Sequence, residues 1–193
     1  MTEIINNIIK TFGYAGIAAI VFAESGLLLG FILPGDSLIF LAGLLASRGY
    51  FNIALLIIVI FISALIGDNV GYFIGKKLGR KVFEKDTFIF NQNNLQKTEG
   101  FFEKYGKSTF LMQRFLPVIR AFGPLLGGVG RMDYRSFFLF DLVGVAVWGM
   151  GVTLLGFYLG NIVPNIDTYL LPIIGGIIII SLIPTFLAYR KHT

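Results

Sequence analysis

Apolar residues fill this chain in long blocks, without the strict alternation or single-face pattern of a soluble domain. The opening MTEIINNIIK mixes polar and apolar positions and reads as interfacial. From Thr11 to Ala23 the run is almost wholly apolar and predicts a helix that takes in the turns before it. Asn52 to Gly75 and Ser136 to Gly160 are predicted to span a bilayer, and Thr168 to Tyr189 is predicted to span last. A helix running from Asn52 to Gly75 rises roughly 36 Å, enough to cross a hydrocarbon core of roughly 30 Å with some tilt. Residues 81–107 are polar and mixed in charge, with a weak amphipathic pattern at LQKTEGFFEKYG.

Two other apolar stretches are interrupted: ESGLLLGFILPGDSLIFLAGLLASRGY and STFLMQRFLPVIRAFGPLLGGVGRMDY. Pro34 and Gly35 break the first. Pro117 breaks the second, because proline disfavours helical geometry at the residue before it. The order of features recurs at a spacing of about 83 residues, the mark of an internal repeat. Pro34 corresponds to Pro117 and Asp36 to Arg120, LAGLLA echoes LGGVGR, and GKKLG echoes GFYLG. Repeat one covers about 24–80, a linker about 81–107 and repeat two about 108–160. Paired apolar segments interrupted by Gly and Pro at matching places point to a transporter's binding site.

Charge decides whether the broken segments cross. Of 16 Lys and Arg, Arg114 and Arg120 lie inside a broken segment. If both segments cross, the other 14 divide 6 against 8 between the two faces; if both are re-entrant, 13 share one face and only Arg48 lies on the other. Cytoplasmic loops are enriched in Lys and Arg, so the re-entrant arrangement is expected. The reading is therefore an all-α polytopic membrane protein with a single membrane domain over residues 1–193. It has two inverted repeats, each a re-entrant helical hairpin plus a transmembrane helix, with additional N- and C-terminal helices. Both termini are expected on the cytoplasmic side.

Composition narrows the chemistry. Hydrophobic residues make up 55% of the chain, which is high for a soluble domain. There is no cysteine, and the single histidine, His192, sits beside the C-terminus. Histidine catalysis and His or Cys metal sites are thereby disfavoured, and no metal or cofactor is expected. The net charge of +5 is explained by basic cytoplasmic loops better than by a nucleic-acid partner. The tetrapeptide Gly35-Asp36-Ser37-Leu38 resembles an esterase nucleophile motif, but no histidine is at hand to activate Ser37. A cleaved signal peptide is not expected.

Six ionisable residues fall in apolar stretches: Glu24, Asp36, Asp68, Arg114, Arg120 and Asp141. Facing lipid at a helix centre, each Asp or Arg costs roughly 2.5–3.5 kcal/mol, so they must pair or line a wet cavity. Arg114 and Arg120 flank the bend at Pro117 and can converge on one anion. Arginine keeps its charge when desolvated and grips phosphate with two N–H donors. Two fixed cations in apolar surroundings describe a pocket for a phosphate that carries apolar chains. Glu24 and Asp36 are expected to pair with the two arginines when the site is empty and to exchange protons as the partner changes, with Asp36 matched to Arg120 and Glu24 to Arg114. The structural alternative is a set of permanent salt bridges. Asp68 and Tyr72 are candidates for a surrounding shell, Asp141 for a capping or snorkelling residue near a helix end. The glycines at 67, 71, 75 and 79 read as a flat stripe for close helix packing. Tyr50, Tyr134, Tyr158 and Trp148 are candidate interface anchors.

Together, Glu24, the LPGD of 33–36, the GDxxGYxxGxxxG of 67–79 and the RFxPxxR of 114–120 resemble the DedA family, within the wider VTT (SNARE-associated Golgi protein) superfamily. The resemblance covers about residues 10–165. It implies a protein of the bacterial cytoplasmic membrane that moves lipids between leaflets, undecaprenyl phosphate being one substrate class and phosphatidylethanolamine another. It also implies a functional acidic pair at Glu24 and Asp36, an arginine pair at Arg114 and Arg120, and a link to the proton motive force. The expected function is a flippase for undecaprenyl phosphate, not an enzyme, with lipid phosphate, protons and membrane lipids as partners and oligomer formation left open. The alternatives are a phosphatidylethanolamine flippase or scramblase, a proton-coupled transporter of ions or small cations, a hydrolase using Ser37 and a purely structural membrane protein.

Overall fold

The computed structural model describes residues 2–26, 35–79 and 92–162. All regular structure among them is helical: α1 (Thr2–Gly26), α2 (Gly35–Ser47), α3 (Ile53–Leu78), α4 (Gln92–Tyr105), the single turn α5 (Thr109–Met112), α6 (Pro117–Val129) and α7 (Tyr134–Ile162). Residues 106–108 and 113–115 form short 3₁₀ turns on either side of α5. Pro34, part of the 81–107 linker and the expected final helix at 168–189 lie outside the described residues.

Helix starts follow local chemistry. Asn52 opens α3 by accepting the Leu55 N–H on its side-chain oxygen at 3.1 Å. Asp133 opens α7 in the same way, accepting the Ser136 N–H at 3.0 Å. Each satisfies one of the donors that a helix leaves open at its N-terminus. Pro117 occupies the first turn of α6, where its missing N–H costs nothing. Leu116 before it is extended (φ −123, ψ 107), which is the expected bend. The first helix takes in the turns before Thr11, as expected: α1 is continuous from Thr2, with no Pro or Gly in its first turns.

At 26 and 29 residues, α3 and α7 are long and apolar enough to cross a membrane. They rise roughly 39 and 44 Å. Leu55, Ile58, Ile62, Ile66 and Phe73 form an exposed apolar stripe along α3; Leu139, Val143, Val147 and Met150 do so along α7. Meanwhile Glu24, Asp68, Arg114, Arg120 and Asp141 are buried. Apolar surface outside and charge inside is the distribution that lipid selects.

The described helices fall into two compact units. The first holds α1 up to Ile20, α2, α3 up to Phe61 and α7 from Gly149. Here α2 packs on α7 backbone to backbone. A Cβ on Gly43 would collide with the Thr153 carbonyl, and one on Gly156 with the Phe40 carbonyl. Beside α3, the Tyr14 hydroxyl accepts the Asn52 N–H at 2.7 Å and its ring meets Phe51 edge-on at 5.0 Å.

The second unit holds the end of α1, α3 from Ile62, α4 to α6 and α7 up to Trp148. Its α6 packs on α3 through the equivalent contacts: a Cβ on Gly128 would collide with the Tyr72 carbonyl, and one on Gly75 with the Leu125 carbonyl. These two pairs of contacts fall on the two sequence echoes, LAGLLA with LGGVGR and GKKLG with GFYLG. Gly67 meets Gly26 of α1, and Gly71 meets Pro124. Gly79 is not part of the stripe; it ends α3 at φ +61 with open space around its Cβ position.

Both α2 and α6 end in the same paired hydrogen bonds. After α2, the N–H groups of Gly49 and Tyr50 reach back to the carbonyls of Ala46 and Leu45; after α6, those of Arg131 and Met132 reach Gly128 and Gly127. This is a Schellman cap, whose turning residue is left-handed. Gly49 fills that place at φ +80, but the second turn uses Arg131 at φ 52.

Candidate functional site

Four elements of the second unit bring buried charge together. From α1 comes Glu24, from α3 Asp68, from α7 Asp141, and from the bent α5–α6 segment Gln113, Arg114 and Arg120. Arg120 is ion-paired with Glu24, and Arg114 with Asp68. Asp141 stands beside the second pair, its Oδ1 3.6 Å from Nη2 of Arg114. The same Oδ1 accepts the Gln113 side-chain N–H at 3.4 Å. None of these side chains exceeds 7% exposure. Two guanidinium groups therefore share one apolar interior with three carboxylates.

The bend at Leu116 explains how both arginines reach this place. On an unbroken helix a six-residue separation turns the second side chain about 240° from the first. Instead the chain passes from a 3₁₀ turn through an extended residue into α6. Trp148, 2% exposed, completes the arrangement. The guanidinium carbons of Arg114 and Arg120 lie 5.0 and 5.1 Å from its ring centre. One indole thus attracts both cations through its ring quadrupole, worth about 2 kcal/mol or more each when desolvated.

Several expectations are revised by this geometry. Glu24 sits on Arg120, whereas Asp68 occupies the place beside Arg114 that was expected for Glu24. Asp141 is wholly buried in the cluster, so it neither caps a helix nor snorkels. Trp148 is no interface anchor; among the aromatic candidates Tyr50, Tyr134 and Tyr158 are exposed. Asp36 lies in the first turn of α2, in the other unit, with an exposed side chain. A carboxylate there complements the helix N-terminus. Gly35 is the first residue of α2. Tyr72 donates its hydroxyl to the Met132 carbonyl at 2.5 Å and stacks on Phe137 at 4.6 Å. With Phe110 and Phe137 it forms a buried aromatic cluster.

Gln113 was not among the residues expected here, and Trp148 was expected at the membrane interface instead. A usable signal existed for the tryptophan: it follows Asp141 by two helical turns and so shares its face of α7.

With this geometry in place, comparison with known proteins gives the family. The VTT domain profile matches residues 33–158. The chain belongs to the DedA family of VTT-domain membrane proteins. A DedA relative, Protein DedA of Escherichia coli strain K12, is 37% identical over 182 residues, covering 93% of this chain and 83% of the relative. An uncharacterized membrane protein of Mycobacterium leprae is 42% identical over 179 residues, covering 90% and 80%. Undecaprenyl phosphate transporter A of Staphylococcus aureus is 30% identical over 179 residues, covering 88% and 87%. No solved structure matches this DedA chain.

Proposed function

We propose that this DedA protein carries a lipid phosphate, undecaprenyl phosphate in the first instance, between the leaflets of the bacterial cytoplasmic membrane. The observation that supports the reading most is the arginine pair: two buried guanidinium groups held on one indole, each facing a carboxylate that an incoming anion can replace. Arg114 and Arg120 grip the phosphate oxygens. Glu24 takes up a proton as its pair with Arg120 opens, and Asp36, exposed in the first turn of α2, is the second protonatable carboxylate; together they couple movement to the proton gradient. A phosphate monoester carries more charge than a diester, so two arginines favour undecaprenyl phosphate over phosphatidylethanolamine. The name of the Staphylococcus aureus relative supports the same substrate class.

The repeat architecture fits this role. Matching glycine contacts in the two units, matching Asx caps on α3 and α7, and matching C-terminal turns on α2 and α6 support two equivalent repeats. We read them as inverted, each with a re-entrant hairpin, and we place both termini in the cytoplasm. Glycine- and proline-interrupted segments in that arrangement form midplane sites in transporters.

The test is reconstitution in liposomes with a leaflet-specific assay that compares undecaprenyl phosphate with phosphatidylethanolamine. Wild-type protein should accelerate movement of the monoester, and Arg114→Ala and Arg120→Ala should abolish the acceleration. If neither lipid moves faster than in protein-free liposomes, the transport reading fails.

A further inference from the structure

Beside Arg114 a buried carboxylate and a buried amide are joined by a single hydrogen bond. Asp141 is 0% exposed and Gln113 1%. One hydrogen bond joins them, from Gln113 Nε2 to Asp141 Oδ1 at 3.4 Å. Their other oxygens, Asp141 Oδ2 and Gln113 Oε1, are both buried and have no hydrogen-bond partner. A buried polar atom left unpaired is costly, so two in one pair call for an explanation.

A single proton supplies it. A primary amide and an ionised carboxylate can share one hydrogen bond, because the carboxylate only accepts. A primary amide and a neutral carboxylic acid can share two: the amide N–H donates to one acid oxygen, and the acid O–H donates to the amide oxygen. The present bond is one half of such a ring, and each residue keeps one unpartnered oxygen for the other half. Charge points the same way. The groups facing Asp141 are Arg114 from the bent segment and, on the same Nη2 of that guanidinium, Asp68 from α3. Arg114 is already ion-paired with Asp68, so an ionised Asp141 would be a second negative charge on one cation. In an apolar interior such a surplus charge is far more expensive than the neutral acid.

We propose that Asp141 is a proton-binding site, holding its proton in a cyclic pair with the Gln113 amide. The consequence for transport rests on the reading of Arg114 as a phosphate donor. With Asp141 neutral, an entering phosphate competes for Arg114 with one carboxylate, Asp68. With Asp141 ionised it competes with two. Proton and anion therefore favour one another's binding, and linkage makes that preference reciprocal.

Infrared difference spectroscopy of the purified protein, without ligand and at neutral pH, tests the site. Wild type should show a carboxylic-acid C=O band that Asp141→Asn removes; Asp68→Asn should weaken it, because Asp141 is then the one carboxylate on Arg114 and ionises. Gln113→Leu should keep the band and move it to higher frequency, because the acid loses its hydrogen bonds. An Asp141→Asn protein that is folded and has the wild-type spectrum in this region overturns the proposal. So does a Gln113→Leu band that does not move, a measurement that stands even if Asp141→Asn fails to fold. Calorimetric titration with dodecyl phosphate separates this inference from the transport reading. The Asp141 band without dodecyl phosphate binding upholds the proton site and sinks the lipid-phosphate reading. Binding without the band does the reverse.

Discussion

Replacing Trp148 asks whether one side chain holds the arginine pair in register. Its ring lies 5.0 and 5.1 Å from the two guanidinium carbons in a site almost closed to solvent. Each contact is worth about 2 kcal/mol when desolvated, and loss of both would remove about 4 kcal/mol. Truncation of a buried tryptophan also leaves a cavity, at about 3–5 kcal/mol for the change to Ala. A comparison of Trp148→Phe with Trp148→Leu separates the two contributions. Both shrink the side chain, but only Phe keeps an aromatic face for the cations. Leu should therefore be less stable than Phe by about 2 kcal/mol, roughly a 30-fold difference in the unfolding equilibrium. The assay is reversible chemical unfolding in mild detergent, followed by circular dichroism. Repeating both substitutions on an Arg114→Met, Arg120→Met background should shrink the gap to a few tenths of a kcal/mol. If Phe and Leu are equally stable on the wild-type background, the indole fills space and does not hold the cations.

Other outcomes follow from contacts described above. Glu24→Gln should destabilise by about 3–5 kcal/mol, because it leaves the Arg120 charge buried without its carboxylate; thermal melts should show most of that loss recovered in Glu24→Gln/Arg120→Gln. Gly75→Ala and Gly156→Ala should each lower stability by at least about 1–3 kcal/mol, since either methyl group meets a backbone carbonyl of the partner helix. Arg131→Gly should raise stability by about 1 kcal/mol and Gly49→Ala should lower it by a similar amount, because both positions are left-handed. Urea titrations of the four glycine-related variants would read these values.

The sequence displayed some parts of this protein more openly than others, for physical reasons. Blocks such as Asn52–Gly75 announce a spanning helix because lipid requires an apolar surface along the whole length. Pro117 announces its bend because its effect is local to Leu116. The glycine pairs were visible as echoes, LAGLLA with LGGVGR, because close helix contact needs small residues at fixed spacing. Partner choice was not legible. Whether Glu24 meets Arg114 or Arg120 depends on how α1 packs against the bent segment, which no local pattern encodes. Asp141 was misjudged by its nearness to the end of an apolar block. Depth in the packed interior is set by the neighbours, here Gln113 and Arg114, rather than by distance along the chain. Trp148 was misjudged for a related reason: aromatic residues gather at membrane interfaces, and composition alone does not reveal the two cations across the fold.

Trp148 is also the chain's single tryptophan. Its near-ultraviolet emission therefore arises from one place, beside two guanidinium groups at the candidate phosphate site. The molecule carries a built-in fluorophore there, so arrival of an anion or movement of either arginine can be followed in real time with no label and no engineered background.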